Sequence, residues 1–522
     1  MRTKREVNDM EAIPTQQRVS TLHGGTTGLG GAVVQSAALI APAAGATAGF
    51  VFVASESGFA SPFSMVVGMV FSLCLAVIIG EFARKLPAAG SFYNYLTHAF
   101  GPKVGFVTGV MLFGAYVLLL PFQMSFFSTF TSEYLAGHSV DIAWQWLAAA
   151  LVVFSTILTI AGLSLSLRTG LVFLAFELIV FGVIALVILV NGGADGLSAK
   201  PFDPSESALG FSGIIYGLVF AIFAFVGFES ATTLGEEAHE PRRTIPRAVL
   251  LTTLVIGIFY TLLLYSGVVG FGLTPEGLEA LQTDGTPFDT LARTFSGPFL
   301  GTLSIIAVMT SFIALNIVTV NAAGRMIFSM GRDRMLPPWF DHVNSRGAPD
   351  RAVVASVGVM LAVTLILGSI YEPGELASWA AYIATLFFIA AYGLLGVGVV
   401  KYYWEQHRPE FSILRHVLIP IAGLVGVGIV TYGNVHPTPP SPLRWFIWAT
   451  VATIAVAALI AVYLERRNPA RLVEAGQLFA SATPEEADVR SDVPPYIPGQ
   501  PEEPLPPPRE PGRARRPPDR SA

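Results

Sequence analysis

Apolar runs of about twenty residues recur along this chain, with short polar segments between them. A helix of that length crosses the hydrocarbon core of a bilayer and satisfies its own backbone polar groups there. Charged residues make up only 13% of the chain, whereas an ordinary soluble domain has roughly 25%. The sequence therefore predicts an all-α integral membrane protein that crosses the lipid bilayer many times.

The number of predicted crossings is about twelve, since each span needs about twenty mainly apolar residues. The spans are approximately Val33–Ala54, Phe63–Phe82, Phe106–Phe130, Trp144–Ala161, Leu171–Leu189, Phe211–Thr233, Val249–Val269, Leu300–Met330, Ala352–Ile370, Ala377–Val400, Val417–Tyr432 and Trp445–Leu464. We expect an N-terminal arm (1–30), a first transmembrane repeat (31–191), a second repeat (211–400), two further helices (401–464) and a disordered Pro-rich tail (465–522).

Basic residues are unevenly distributed between alternate loops, and this bias predicts the orientation in the membrane. If the N-terminus is cytosolic, the inside loops hold most of the Lys and Arg, and the outside loops keep only Lys200, Arg293 and Arg444. The first thirty residues are polar and lack the apolar core of a signal peptide. The abundance of Arg, Ala and Gly is typical of GC-rich bacterial genomes. We expect a multi-pass protein of the bacterial cytoplasmic (inner) membrane with both termini in the cytosol.

Two segments of the sequence echo each other. "SFYNYLTHAFGP" (Ser91–Pro102) follows the second predicted span, and "PFDTLARTFSGP" (Pro287–Pro298) follows the seventh. In both, the first Phe stands nine residues before the Gly of a Gly-Pro pair. Segments after spans two and seven lie on opposite sides of the membrane, which is the relation expected in an inverted five-plus-five repeat.

Spans one and six are counterparts in such a repeat, and both contain residues that weaken a helix at mid-span. Span one reads "LIAPAAGATAG" (Leu39–Gly49), in which Pro42 lacks an N–H and Gly45 loosens the backbone. Span six contains "VGFES" (Val226–Ser230). Unwound backbone at membrane depth is buried in protein or lines a cavity, where its free groups can hold ions. The alternatives are a packed proline kink in span one and a glycine at a close helix crossing in span six.

Three acidic residues are candidates for proton coupling or gating. Glu177 in span five and Glu229 in span six lie in apolar sequence, where an acidic residue is costly and usually faces the interior. A carboxyl buried there favours its neutral form and could carry a proton, and the alternative is a hydrogen-bonded carboxyl that ties helices together. Glu81 stands at a helix end beside Arg84 and Lys85, so it either pairs with them or belongs to an inner gate.

Span eight carries further polar residues at depth. Asn316, Thr319 and Asn321 either hydrogen-bond across helices, which is the commoner role, or line a pathway. Thr310 and Ser311 offer hydroxyl oxygens that could bind a sodium ion.

The sequence carries no signature of soluble enzyme chemistry. It has no phosphate-binding loop, no clustered metal ligands and no nucleophile elbow. The single cysteine, Cys74, excludes an intramolecular disulfide. Because the basic residues follow membrane sidedness, nucleic-acid binding has no support. We expect neither an enzyme nor a cofactor, a metal or a nucleic-acid partner.

Three stretches together resemble a known family. "GFESATTLGEEAHEPRRTIPRAV" (Gly227–Val249) resembles the span-six signature of amino acid permeases of the amino acid–polyamine–organocation superfamily. "GEFARKLPAAGSFYNYLTHAFGP" (Gly80–Pro102) is similar to the family's segment after span two. "NAAGRMIFSMGRDRMLPPWF" (Asn321–Phe340) is similar to the end of its span eight. The resemblance covers residues 30–465.

The resemblance implies an inverted five-plus-five repeat of the leucine-transporter type with two extra helices, and alternating access around a substrate held between spans one and six. The residues implied at the carboxylate end of the substrate are Ala41, Pro42, Ala43, Ala44 and Gly45. The residues implied at its amine end are Phe225, Val226, Gly227 and Phe228. Glu229 would be the span-six acid.

The sequence departs from the family pattern at two places. Many members have Gly-Ser-Gly in span one, where this chain has "PAAG" (Pro42–Gly45), and this difference bears on the carboxylate contacts. It also bears on whether the substrate is a simple α-amino acid. Some proton-coupled members have a Lys in span five near the position of Glu177. A Glu there reverses the charge, so the lysine mechanism does not carry over, although a carboxyl can still bind a proton or a cation.

The favoured function is secondary transport of an amino acid or a related amine such as a polyamine, by uptake together with a proton. The second interpretation is an exchanger of the same fold for amino acids or polyamines. A non-transporting membrane sensor is a third. A channel is disfavoured, because broken paired helices build a closed central site rather than a continuous pore.

Overall fold

The computed structural model describes Leu22 and residues 24–467. The predicted arm up to residue 21 and the predicted tail from residue 468 onward lie outside the described residues. The described part contains sixteen α-helices and an isolated parallel bridge between Thr27 and Ala238. The helices are α1 Leu29–Ile40, α2 Pro42–Ser57, α3 Ser61–Lys85, α4 Phe92–Phe100, α5 Pro102–Ala136, α6 Trp144–Ile160, α7 Leu163–Val190, α8 Gly210–Phe223, α9 Pro241–Phe271, α10 Pro275–Thr283, α11 Pro287–Ser296, α12 Pro298–Arg332, α13 Asp350–Gly368, α14 Pro373–Gln406, α15 Ile419–Val435 and α16 Leu443–Arg467.

Ten helical stretches of the described chain are long and apolar enough to cross a membrane. One of them, Leu29–Lys85, has 57 residues and combines α1, α2 and α3. At 1.5 Å per residue it would extend about 85 Å, far more than the roughly 30 Å of one hydrocarbon core. It therefore contains the first two predicted spans, and the shorter apolar helix Trp144–Ile160, of 17 residues, corresponds to the fourth. Each of the predicted spans thus has a helical counterpart.

Large apolar side chains cover the outer surface of the helices. Ile157 on α6 is 61% exposed, Val172 on α7 is 64% exposed and Leu459 on α16 is 69% exposed. Exposed apolar surface of this extent marks contact with lipid rather than with water. The chain is a multi-pass, all-α membrane protein, as the apolar runs predict.

The two echoing sequence segments fold in the same way. The short helix α4 ends at Phe100, Gly101 follows it with φ 93°, and Pro102 begins the 35-residue helix α5. The short helix α11 ends at Ser296, Gly297 follows it with φ 88°, and Pro298 begins the 35-residue helix α12. Glycine adopts this left-handed backbone without strain, and proline suits the first turn of the next helix because its missing N–H is not needed there. The recurrence of this corner agrees with the internal repeat predicted from the sequence.

The broken helices of spans one and six lie side by side. Ser36 Oγ on α1 donates to the Phe228 carbonyl at 2.6 Å, and it accepts from Ala231 N–H at 3.0 Å. Ser230 Oγ donates to the Gln35 carbonyl at 2.9 Å. These bonds join α1 to a 3-10 helix, Phe228–Leu234, that follows α8. The fold therefore brings both predicted breaks into one buried region.

Candidate functional site

The first break is a single residue wide. α1 ends at Ile40, Ala41 has a left-handed backbone with φ 54°, and α2 begins at Pro42. The Gly45 N–H donates to the Ala41 carbonyl at 2.8 Å and starts the regular bonding of α2. The N–H groups at the start of a helix have no backbone partner within that helix, so they need other acceptors.

Side chains of two other helices supply those acceptors. Ala43 N–H donates to Glu177 Oε2 of α7 at 2.9 Å, and Ala44 N–H donates to Ser311 Oγ of α12 at 3.3 Å. Both Glu177 and Ser311 are fully buried. Thr310, the other predicted sodium ligand, donates its hydroxyl hydrogen to carbonyls of its own helix. Glu177 thus caps the positive end of α2, where a negative group is stabilised.

Tyr260 of α9 connects the two breaks. Its hydroxyl donates to the Ile40 carbonyl at 3.3 Å, at the end of α1. Its ring meets Phe50 of α2 and Phe225 of the second break edge-on, with centroids 5.2 Å and 6.0 Å apart. Tyr260 therefore contacts both the last turn of α1 and Phe225, one of the residues predicted at the amine end of the substrate.

The second break is a longer turn that depends on a glycine. After α8 ends at Phe223, the chain turns through Gly227, whose φ is 113°. A Cβ added to Gly227 would lie 2.9 Å from both the carbonyl carbon and the oxygen of Leu39. Only glycine fits both this backbone conformation and this close approach of α1.

Glu229 lies immediately after this turn and accepts three hydrogen bonds. Its Oε2 accepts from Gly227 N–H and from the Tyr392 hydroxyl, both at 2.9 Å. Its Oε1 accepts from the Tyr116 hydroxyl at 3.3 Å. The Tyr392 ring stacks on Phe228 with centroids 5.8 Å apart. Helices α5 and α14 therefore hold the carboxyl of the second break inside an aromatic cluster.

The structure brings together most of the site residues predicted from the sequence. The two predicted substrate segments, Ala41–Gly45 and Phe225–Phe228, form the two breaks, with Glu177 at the first and Glu229 at the second. In this conformation both carboxyls are fully buried.

Glu81 belongs to a different cluster at the end of α3. It pairs with Arg84 at 3.0 Å and with Arg415 at 3.7 Å. Its Oε2 accepts from the Tyr403 hydroxyl at 3.0 Å, and His416 Nε2 lies 3.5 Å away. The Glu81 carboxyl therefore joins α3 to the segments that contain Tyr403 and His416.

The predicted neighbour Lys85 pairs elsewhere. Its Nζ donates to Glu410 Oε1 at 2.6 Å, and this bond holds the pKa of the exposed Glu410 carboxyl below its usual value. Lys85 and Glu410 line the same surface cavity as Glu81, of about 430 Å³. This cluster is separate from the two breaks.

A buried and a partly buried arginine–glutamate pair follow the second break, and we call Glu236, Glu237, Arg325 and Arg332 the Arg–Glu cluster. Arg325 donates to both oxygens of Glu237, at 2.6 and 3.0 Å. Arg332 donates to both oxygens of Glu236, at 2.6 and 2.7 Å. Bidentate pairs of this kind fix geometry as well as charge. The two pairs connect the C-terminal part of α12 to the segment that follows the second break.

Two acidic residues at the Arg–Glu cluster titrate differently. Burial disfavours the charge on Glu236, but the Arg332 guanidinium outweighs burial and holds the pKa of that carboxyl below its usual range. Burial raises the pKa of the neighbouring Asp333 to about 6, with Arg332 opposing the rise and Glu236 adding to it. Glu236 therefore stays ionised at neutral pH, whereas Asp333 titrates close to it.

The polar residues of span eight hydrogen-bond across helices. Gln123 Nε2 of α5 donates to Thr319 Oγ1 at 2.8 Å, and Asn316 Nδ2 donates to Gln123 Oε1 at 3.1 Å. Asn321 Nδ2 donates to Ser166 Oγ of α7 at 3.1 Å. The sequence allows either hydrogen bonding across helices or the lining of a pathway, and the structure shows hydrogen bonds across helices.

Sequence reasoning did not single out several polar residues at or beside the breaks. They are Gln35, Ser36, Tyr116, Gln123, Tyr260 and Tyr392. Each lies inside a predicted apolar span, so a search for polar side chains within the spans would have found them. Among the described residues no group of three or more His, Cys, Asp or Glu could hold a metal ion.

Two broken membrane helices that cross beside buried carboxyl groups are characteristic of transporters that hold their substrate between discontinuous helices. Residues 30–459 match the family model described as amino acid permease. The chain belongs to the amino acid permease family.

Individual relatives agree with this assignment. The branched-chain amino acid permease BcaP of Lactococcus lactis is 26% identical over 408 residues, which cover 70% of this chain and 82% of the relative. The low-affinity putrescine importer PlaP of Escherichia coli is 25% identical over 425 residues, 78% of this chain and 87% of the relative. An uncharacterized transporter of Rhizobium meliloti is 28% identical over 387 residues, 72% and 74% of the two chains. The protein is a membrane transporter.

Proposed function

We propose that this protein is a secondary active transporter that takes up an amino acid or a related amine by alternating access, together with a proton. The observation that carries the proposal is the crossing of two helix breaks, with Glu229 buried among Tyr116, Tyr392 and Gly227 N–H. A carboxyl in such a place changes its protonation when its partners move or water enters. Relatives named for a branched-chain amino acid and for putrescine support the substrate range.

The proposed orientation in the membrane follows from the loops rich in Lys and Arg, which we assign to the cytosol of a bacterium together with both termini. On this assignment the Arg–Glu cluster lies on the cytosolic side of the breaks and acts as a gate. Arg325–Glu237 and Arg332–Glu236 then close the cytosolic path in this conformation. Release into the cytosol requires both pairs to separate.

An amino acid or amine exchanger is the second candidate. Glu229 accepts hydrogen bonds from Tyr116, Tyr392 and the Gly227 N–H, which are the contacts expected of a carboxyl with a structural role. A permanently ionised Glu229 would hold the second break together and bind a cationic group without carrying a proton. Transport would then depend on a substrate on the opposite side.

Purified protein in proteoliposomes distinguishes these functions. Uptake of labelled amino acids and amines is measured under an imposed pH gradient, an imposed sodium gradient, and with unlabelled substrate inside. We expect an acidic exterior to accelerate uptake and a protonophore to abolish that acceleration. Protein-free liposomes are the control for leakage.

The outcomes separate cleanly. Uptake that requires internal substrate and does not depend on the pH gradient supports an exchanger instead of a proton-coupled transporter. Uptake that is accelerated only by the sodium gradient would identify sodium, instead of the proton, as the coupling ion. Binding of amino acids or amines without movement under any gradient would overturn transport and favour a sensor.

A further inference from the structure

The start of α2 has two backbone N–H groups that can donate hydrogen bonds to an anion. Pro42 has no N–H, and the Gly45 N–H already donates to the Ala41 carbonyl. The remaining donors of the first turn belong to Ala43 and Ala44. In transporters with discontinuous helices, such a half-helix N-terminus is where the carboxylate of a substrate binds.

Both donors are already used by the protein's own side chains. Glu177 Oε2 accepts from Ala43 N–H at 2.9 Å, and Ser311 Oγ accepts from Ala44 N–H at 3.3 Å. A carboxylate of the chain itself therefore occupies the position of a substrate carboxylate. An amino acid would have to displace Glu177 or bring a second carboxylate against it, and like charges in one buried site are strongly unfavourable.

The second oxygen of Glu177 independently indicates which ligand fits. Glu177 is fully buried, yet its Oε1 has no hydrogen-bond partner among the residues that the structure describes. A buried acceptor without a donor costs free energy, and a bound ammonium group supplies the missing donor. The Ser311 hydroxyl lies beside this carboxyl, and the Tyr260 hydroxyl already donates to the Ile40 carbonyl. Both hydroxyls are neutral, so neither supplies a positive charge to an ionised Glu177.

Glu177 has no cationic partner among the ion pairs of the described residues. α1, α2 and α8 contain neither Lys nor Arg. Arg325 and Arg332 of α12 pair with Glu237 and Glu236. A cationic ligand would therefore balance the charge of Glu177 whenever this carboxyl is ionised.

We propose that Glu177 stands in for the carboxylate of a substrate, so that the transported molecule is an amine without a free carboxylate. Its ammonium group binds Glu177 Oε1, and its apolar part packs on the wall formed by Tyr260 and Phe225. This inference rests on the proposed transport function and narrows its substrate class. Glu229 at the second break offers a second carboxyl, which suits a diamine.

Matched pairs of compounds test the inference on the unmodified protein in proteoliposomes. Each amine is compared with the amino acid that differs from it by one carboxylate: 1,4-diaminobutane with ornithine, and isobutylamine with valine. Valine methyl ester serves as an amino acid without the carboxylate charge. We expect the amines and the ester to compete for uptake at least about tenfold more strongly than the amino acids, because a charged hydrogen bond is gained and a carboxylate repulsion is avoided.

Two substitutions of Glu177 sharpen the test. Glu177→Ala frees the Ala43 N–H, so amine binding should fall and binding of valine or ornithine should rise several-fold. Glu177→Gln keeps an acceptor for Ala43 N–H but removes the charge, so amine binding should fall about tenfold without a gain for amino acids. Glu372→Gln, at an exposed position before α14, is the control and should change neither. Ligand-dependent thermal stabilisation in detergent reports folding and binding together.

Each outcome decides a different claim. Preference for amines and the ester supports the inference, even if Glu177→Ala does not fold. Preference for valine or ornithine over the matching amine overturns the inference and leaves the transport proposal intact. If no compound moves under any gradient, the transport proposal fails and this inference falls with it.

Discussion

The two helix breaks that meet in the site are built in different ways. In the first break, one left-handed residue, Ala41, separates α1 from α2, and side chains of α7 and α12 cap the exposed end. In the second break, a turn that ends at Gly227 follows α8, and Glu229, two residues further on, caps the Gly227 N–H. Side chains of other helices cap the first break, whereas the second break supplies its own cap, which Tyr116 and Tyr392 of α5 and α14 hold in place.

This difference predicts how each break responds when helices move. Displacement of α7 or α12 away from α2 uncovers the N–H groups of Ala43 and Ala44, so the first break can alternate between internal caps and a ligand. The second break keeps its own cap as long as Glu229 remains ionised or accepts a bond. We infer that the first break is the adjustable half of the site and the second is the fixed half.

Gly227→Ala should have the largest effect, because it removes the geometry of the fixed half. The left-handed backbone and the contact of a new Cβ with Leu39 at 2.9 Å together cost about 2–5 kcal/mol. We expect loss of uptake and a lower melting temperature of the protein in detergent. Gly428→Ala in α15 is the matched control, since a Cβ there meets nothing within 4 Å. Equal melting temperatures for the two variants would contradict the need for glycine at the second break.

Glu229→Gln tests whether the self-capping carboxyl also carries a proton. The amide has one acceptor oxygen for three donors, and its NH₂ group faces one of them. We expect uptake driven by a pH gradient to fall about tenfold or more, because a charged acceptor is lost, while exchange of substrate continues at a reduced rate.

Tyr392→Phe is the control for Glu229→Gln, since it removes one donor at 2.9 Å and keeps the carboxyl. It should weaken transport less and preserve the dependence on pH. If Glu229→Gln itself retained the pH dependence of the unmodified protein, Glu229 would be a cap and not the proton site.

The positions of both breaks could be predicted because their causes are local. Pro42 and Gly227 act on their own turns of helix, and the length of each apolar run reports a crossing directly. The burial of Glu177 and Glu229 followed from the same local argument, since each stands in apolar sequence. The membrane-spanning helices and the positions of their breaks can therefore be predicted from the sequence.

The partners of those carboxyls could not be predicted, because they depend on how distant helices rotate and pack. Glu177 bonds to Ala43 across 134 residues of sequence, and Tyr116 and Tyr392 reach Glu229 across 113 and 163 residues. A span shows the depth of a polar side chain but not the neighbour that it faces. The caps of the first break are neighbours of this kind, distant in sequence.

Ser311→Ala removes one of the two side chains from other helices that cap the first break. Loss of the acceptor for Ala44 N–H should lower stability by about 1 kcal/mol, as for other helix caps, and alter substrate affinity a few-fold. Ser304→Ala is the control on the same helix, because the Ser304 hydroxyl donates to the Gly301 carbonyl of α12 itself. Thermal melting and uptake of both variants are compared. Unchanged substrate affinity in Ser311→Ala would mean that the cap on Ala44 has no part in binding.

Ala41→Gly should have the smallest effect, because the first break depends on its caps rather than on its central residue. Glycine relieves a left-handed backbone that costs about 1–2 kcal/mol for alanine. It loses a buried methyl group worth about 0.8 kcal/mol and adds about 0.5–1 kcal/mol of backbone entropy cost. The terms nearly cancel, so we expect the melting temperature to stay close to that of the unmodified protein.

Ala48→Gly provides the comparison for Ala41→Gly, since Ala48 lies in the regular part of α2 and is half-buried. Glycine there has no strained backbone to relieve, so stability should fall by about 0.5–1 kcal/mol from the backbone term alone. If Ala41→Gly lowered the melting temperature as much as Ala48→Gly, the left-handed residue would carry no strain. Near-neutral behaviour at Ala41, beside a large loss at Gly227, would show that one break is held by borrowed side chains and the other by its own backbone.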